Sequence, residues 1–248
     1  MSGEAFISAR IADAIHLSTV RNTPQFVGFL DEREREEARA VCRRLRFTGY
    51  LFFGGFPEAE RSIFGAFPFF LHPEPEQFPV VRLRASFVSP RPLSHRDFLG
   101  ALISSGVRRE SVGDIFVKEQ TADLFLLEGV AAFVVSSVSR IGGASIHFEA
   151  CEGEYSPPER TFREIGGTIA SSRLDCVVAS LMGQSREKAA ALIRSGLVVL
   201  RFQAQGSVTA QVREGDTLSI RGSGKFKITQ IGPETKKGRL VFQAKKYQ

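Results

Sequence analysis

The residues best placed to do chemistry open two neighbouring stretches, SSRLDCVVASLMG (171–183) and QSREKAAALIRSG (184–196). Arg173 and Asp175 begin the first; Ser185 and Arg186 begin the second, with Lys188 and Arg194 behind them. A carboxylate among guanidiniums can act as a nucleophile, cap a helix, or belong to a surface that grips an anion. Arg201, Lys225 and Lys227 follow in the next segment. Such recurrence of cationic side chains is what a phosphate-contacting surface requires.

Positioning these groups calls for two short helices and a set of strands. Leu174, Val177, Val178 and Leu181 fall at i, i+3, i+4 and i+7, an apolar stripe that predicts a helix with Ser172 as N-cap and Asp175 at N3. Ser185 caps the second helix, whose inner side is Ala189, Leu192 and Ile193, and Gly196 ends it. Arg186, Ala190 and Arg194 recur every four residues along one side, with Ala190 leaving room for close approach. The free amides at both helix starts suit phosphate. LVVL, SVTAQV, DTLSIRG and GKFKITQIG read as short strands between Gly-containing turns. Arg221, Lys225 and Lys227 alternate, which puts them on one strand face, and the expectation is that helix and hairpin cations converge on one surface.

Charge follows the same division. Residues 165–248 hold 14 Lys and Arg against 5 Asp and Glu, a net +9, and the preceding 164 residues hold 19 against 22, a net −3. Seven of the eight lysines lie in that last third, Lys118 being the exception. The asymmetry points to a polyanion-binding module behind ordinary globular domains, with a solvated basic face as the plainer alternative.

LHPEPEQFP (71–79) and EGEYSPPERTFREIGG (152–167) read as linkers and divide the chain into three small α+β domains, 1–75, 78–150 and 168–248. In the first, Ile7, Ile11 and Ile15 mark a helix, and DEREREEARAVCRRL marks a second with Asp31 as N-cap and Glu34 completing a capping box. YLFF and SIFGAFPFF read as strands, which makes this a small α/β unit. The middle part runs strand, helix, strand, strand, helix, strand, the order of a ferredoxin-like domain and of RNA-recognition modules. Its third strand offers only Phe125, without the Lys-Gly-Phe run of base-reading motifs, so the layout suits protein contact or backbone-only RNA contact. Arg108 and Arg109 in GVRRE are its candidate secondary phosphate contacts, an ordinary surface loop being the other reading.

Cys42, Cys151 and Cys176 form no CxxC pair, and His16, His72, His95 and His147 have no metal spacing, so neither metal nor cofactor is expected. Without a bilayer-length apolar run or a signal segment, the chain reads as cytoplasmic and away from membranes; a monomer is expected, a dimer being the alternative that nothing in the sequence supports.

RLD at the first helix, SREKAAALIRSG as the second, LVV after the glycine and VREGDTLSIRG as turn and strand resemble the S4 RNA-binding domain over about 60 residues. One departure is LVVLRFQAQGS, longer than the Asn-Gly turn of many S4 domains, which leaves the roles of Arg201 and Phe202 open. FLDEREREEA, FFGGFPEAER, RDFLGALISSGVRRESVGDIFV and RGSGKFKI before KKGRL extend the resemblance to the bacterial YlmH family along nearly the whole chain. That resemblance implies a factor that binds the large ribosomal subunit, contacting rRNA and tRNA during rescue of stalled nascent chains, with a rescue-factor protein as a further partner. Arg173, Ser185, Arg186, Lys188, Arg194, Arg201, Lys225 and Lys227 are the expected RNA-binding residues, with no catalytic residue among them.

The competing reading is an RNA-modifying enzyme. Arg173-Leu174-Asp175 echoes the Arg-Leu-Asp of pseudouridine synthases, but it lies inside the S4 pattern and leaves too little chain for their catalytic domain. RGSGKF lacks the spacing and following helix of a phosphate-binding loop, and FFGGF and IGG lack the glycine spacing of a dinucleotide or methyl-donor site.

Overall fold

Asp31 starts the second helix as its sequence predicts. Its carboxylate accepts from Glu34 N at 2.9 Å while Glu34 Oε2 accepts from Asp31 N at 2.8 Å, a reciprocal pair that satisfies two amides otherwise left open. Asp31→Ala is therefore expected to cost about 1 kcal/mol of unfolding free energy in a urea titration. The computed structural model describes residues 3–158, 162–201 and 203–247 and divides into two compact units, Met1–Pro158 and Glu159–Gln248.

The first unit begins α1 (Gly3–Arg21), β1 (Gln25–Leu30), α2 (Glu32–Leu45), β2 (Tyr50–Phe53), β3 (Ser62–Ala66). The three strands form an antiparallel sheet ordered β1-β3-β2. Ile7, Ile11 and Ile15 pack with Ala38, Val41, Cys42 and Phe64, so the four-residue repeat of the first helix is its core stripe. β1 was not expected. SIFGAFPFF continues as strand only to Ala66, and beyond Pro68 the rings of Phe69 and Phe70 lie in solvent.

Next come β4 (Val80–Phe87), α3 (His95–Ser104), β5 (Val112–Val117), β6 (Thr121–Leu127), α4 (Glu128–Ser137), β7 (Arg140–Ile141), β8 (Ala144–Cys151). The sheet order is β5-β6-β4-β8-β7 with antiparallel neighbours throughout, and the two-residue β7 is an addition to the expected order of elements. Leu83, Ala85 and Phe87 alternate toward α3 and α4, where Phe98, Leu102 and Val134 are fully buried.

The other face of this sheet is not open. Phe125 lies beneath Phe56 and Tyr155, with ring centres 4.8 and 5.1 Å away, in a cluster that also holds Phe29, Phe67 and Phe78. Aromatic residues from both sheets thus share one core, which is why the first and second expected parts form one compact unit. Asp114 completes the joint by accepting from the amides of Glu60 and Arg61 at 2.7 and 3.2 Å. Tyr155, expected in a linker, belongs to this core.

The second unit comprises β9 (Phe162–Ile169), α5 (Leu174–Met182), α6 (Arg186–Arg194), β10 (Val198–Leu200), β11 (Gln203–Ala204), β12 (Thr217–Ile220), β13 (Gly224–Glu234), β14 (Leu240–Tyr247). These strands make one antiparallel sheet ordered β11-β10-β12-β13-β14-β9. Leu174, Val177, Val178 and Leu181 of α5 and Ile193 of α6 meet Phe226, Ile228, Phe242 and Ala244 of the sheet. Gly196, at φ +70, ends α6 in the left-handed region where a side chain would be strained. RGSGKF supplies the tight turn between β12 and β13 with its first three residues and the start of β13 with the rest. β9 corrects the reading of 152–167 as linker throughout: from Phe162 onward this segment pairs with β14. SVTAQV is not a strand; it forms turns beside the start of α5. Among the described residues no helix is long and apolar enough to cross a membrane.

Candidate nucleic-acid interface

Asp175 does more than its sequence position suggests. Arg173, not Ser172, is the N-cap of α5, and its own side chain makes no capping hydrogen bond. The 207–212 turn takes over instead: Leu174 N donates to Ala210 O at 2.8 Å, Asp175 N to Val208 O at 3.1 Å, and the Ser172 hydroxyl to Gln211 at 2.7 Å. The start of α5 is therefore closed by backbone carbonyls, and its first amides do not face a phosphate. The Asp175 carboxylate still accepts from a first-turn amide, that of Cys176 at 3.0 Å, and it also receives Arg173 Nε at 3.1 Å and Nη2 at 3.2 Å and Arg186 Nη2 at 2.6 Å.

The consequence is electrostatic as well as geometric. The Asp175 side chain is only 7% exposed, whereas those of Arg173 and Arg186 are 37% and 54% exposed. Burial pushes the carboxyl pKa up, but hydrogen bonds from Arg173 and then Arg186 outweigh it and hold the group down at about 2. An ionised, inward carboxylate thereby fixes two outward guanidiniums, one from the start of each helix, in one place.

Ser185 caps α6 as expected, accepting from Lys188 N at 3.3 Å. Lys188 and Arg194 are exposed on this helix, whereas Ala190 is buried under the unit's own chain and leaves no opening for a partner. Arg201, at φ +48, turns its guanidinium onto Asp216 at 2.7 and 2.8 Å and onto the Gln211 carbonyl at 2.7 Å. It braces the loop that departs from the S4 pattern. Phe202 lies outside the described residues.

Lys225 and Lys227 do not join the helix cations. α5 and α6 cover the sheet face that carries Phe226 and Ile228, and the two-residue period of β13 sends Lys225 and Lys227 to the other face. The single convergent surface expected from sequence is thus two surfaces, one on each side of the sheet. In the first unit, Arg108 is exposed and lies 3.4 Å from Glu110. Arg109 turns inward, donating to Val112 O at 2.6 Å; burial, with Arg61 adjacent, pushes its pKa down to about 10. Three residues escaped the sequence reading: Phe162 and Tyr247, whose rings meet at 5.1 Å, and Lys245 beside the Phe162 ring. The alternation of VFQAKKYQ carries their signal, but the strand that pairs with it lies in a segment whose sequence reads as a linker.

Residues 74–154 match the family model described as "Putative RNA-binding domain in YlmH". The "Ribosome-associated protein quality control protein P2" of Bacillus subtilis (strain 168) is 35% identical over 225 residues, covering 88% of this chain and 86% of that protein. This chain belongs to the YlmH family. Among solved structures, the "Cell division protein ylmH from Streptococcus pneumoniae" aligns with a TM-score of 0.53 at 14% identity, covering 61% of this chain and 93% of that one, which relates the two by fold. The matched YlmH domain takes in the whole β4–β8 sheet, so the face closed by Phe56 and Tyr155 is a face of that domain.

Proposed function

We propose that this protein is a non-enzymatic RNA-binding factor of the bacterial cytoplasm that associates with the large ribosomal subunit and works in quality control of stalled nascent chains. Residues 168–248 would act as an S4 RNA-binding domain contacting rRNA and tRNA, residues 78–150 as a ferredoxin-like module, and residues 1–75 as an α/β module able to meet a rescue factor, the whole acting as a monomer. The carrying observation is the Asp175 hub, which orders Arg173 and Arg186 side by side, with exposed Lys188 and Arg194 on the same helix as Arg186. The net +9 of residues 165–248 and the 35% identity to the Bacillus subtilis quality-control protein favour the same reading. Such a surface would hold RNA elements together by their backbones.

The test is co-sedimentation with separated ribosomal subunits across a salt series. Lys188→Ala/Arg194→Ala is the informative variant, because neither side chain contacts Asp175 and the fold is spared. Wild-type protein is expected on the large subunit, with an affinity that falls as salt rises. Each lost phosphate contact should flatten the log-log slope by about 0.7 to 0.9. Binding indifferent to salt, or a slope that the double variant leaves alone, would reject the interface.

A further inference from the structure

The sheet face turned away from α5 and α6 carries a second arrangement with its own chemistry. Tyr247 on β14 lies opposite Phe162 on the edge strand β9, and the rings meet edge to face with centres 5.1 Å apart. Lys225 Nζ sits 5.1 Å from the Tyr247 ring centre and Lys245 Nζ 5.6 Å from that of Phe162. The next residue pairs along the strands are Lys227 with Lys245 and Lys245 with Glu164, so Lys227 stands on the same face as the two rings and their cations. Phe162 is 39% exposed although it is a large apolar side chain, and Lys227 is exposed.

This face does not serve the core. The strands' inward positions, Phe226, Ile228, Phe242 and Ala244, already supply the apolar contact that the helices need. Rings on the outward positions of two adjacent strands, each with a cation beside it, form a platform on which a base can stack while lysines meet the adjoining phosphates. The net +9 of residues 165–248 is complementary to a polyanion and opposes an acidic-residue-poor or cationic partner. A duplex buries its base faces, so the ligand class that fits rings plus ammoniums is a single-stranded stretch of RNA.

We infer that Phe162, Tyr247, Lys225, Lys227 and Lys245 form a second RNA site that takes unpaired nucleotides, on the opposite side of the sheet from the Arg173 and Arg186 surface. It rests on the RNA-binding reading above and adds to it a division of labour: backbone grip on the helix side, base stacking on the strand side. Two sites on one small unit would let it bridge separate RNA segments.

The experiment titrates full-length protein into a fluorescein-labelled single-stranded oligouridylate and, separately, into a duplex of the same length, by anisotropy at two salt concentrations. Phe162→Leu/Tyr247→Leu keeps apolar bulk and removes the π faces; its melting temperature is checked first, and Phe162→Ala/Tyr247→Ala is the more severe partner. The expected result is a loss of about tenfold or more in single-strand affinity in both ring variants, with the duplex affinity moving less. Equal single-strand affinity in wild type and both folded ring variants overturns the inference. Wild-type protein that co-sediments with large subunits but fails to bind the oligonucleotide also overturns it and leaves the proposed function standing. Failure of both assays removes both. A ring-dependent preference for polyglutamate over the oligonucleotide would reassign the face to an acidic protein segment and overturn the RNA site.

Discussion

Phe125→Ala is expected to lower the stability of the 3–158 unit by about 3 to 5 kcal/mol, the cost of emptying a large aromatic site that cannot collapse. Phe125 is 1% exposed, and Phe56, Tyr155 and Phe116 surround it at ring-centre distances of 4.8, 5.1 and 6.4 Å. The backbone of the 54–56 loop also fits against it. A Cβ built on Gly55 would lie 2.4 Å from Phe125 Cδ1, at a residue whose φ of +100 already excludes most side chains. The loop cannot follow the shortened side chain inward without disturbing β3 and Phe56 together. For a unit of this size each kcal/mol moves the melting temperature by about 2 to 4 °C, so the shift should exceed about 6 °C. Hydrogen exchange gives the sharper readout: protection should fall in β1–β3 and in β4–β8 together, because both sheets own the cluster, and hold in β9–β14. Loss confined to β4–β8 would mean that the shared aromatic core does not couple the two sheets.

The same cluster marks where sequence reading stops. α2 was legible because its start, its stripe and its capping box are all local, and α5 and α6 were legible for the same reason. The strand-helix-strand order of 80–151 could also be read, since each element carries its own period. What could not be read depends on partners far along the chain. FREIGGTI contains a glycine pair and no alternation, yet it is a full strand because β14 supplies its hydrogen bonds residue for residue. Tyr155 sits among Pro and Glu and is buried by Phe125 and Phe56. SVTAQV alternates as a strand should, but its carbonyls are spent on the first amides of α5. At the candidate interface the types and even the spacing of the cations were legible, and the face of the sheet that the helices would choose was not. That choice decided whether Lys225 and Lys227 would meet Arg186 or lie behind it.

Asp175→Asn tests whether position or charge makes the Arg173 and Arg186 surface work. The substitution keeps the shape of the side chain and removes the charge on which both guanidiniums converge, and the expected loss is about 2 kcal/mol, below the usual 3 to 5 for a fully buried pair because the arginines are partly solvated. In a unit of this size that corresponds to roughly 8 to 16 °C of melting temperature. The pH dependence carries the same signature. With the carboxyl at about 2 in the folded chain and near 4 when unfolded, the wild-type contribution is complete above about pH 4 and is lost as pH falls toward 2; the Asn variant lacks that segment of the stability curve. For RNA the two accounts differ in sign. If the arginines act only as charge, removing a carboxylate raises affinity for a polyanion, because the unit becomes more positive. If Asp175 holds them in the orientation that meets phosphate, the variant binds more weakly despite its extra positive charge, when assayed well below its melting temperature. The geometry favours the second outcome: two arginines from different helices share one buried carboxylate, which among the described residues is the side-chain partner that holds both. Tighter binding by the Asn variant would reduce the hub to a structural ion pair and move the search for RNA contacts to Lys188, Arg194 and the opposite face of the sheet.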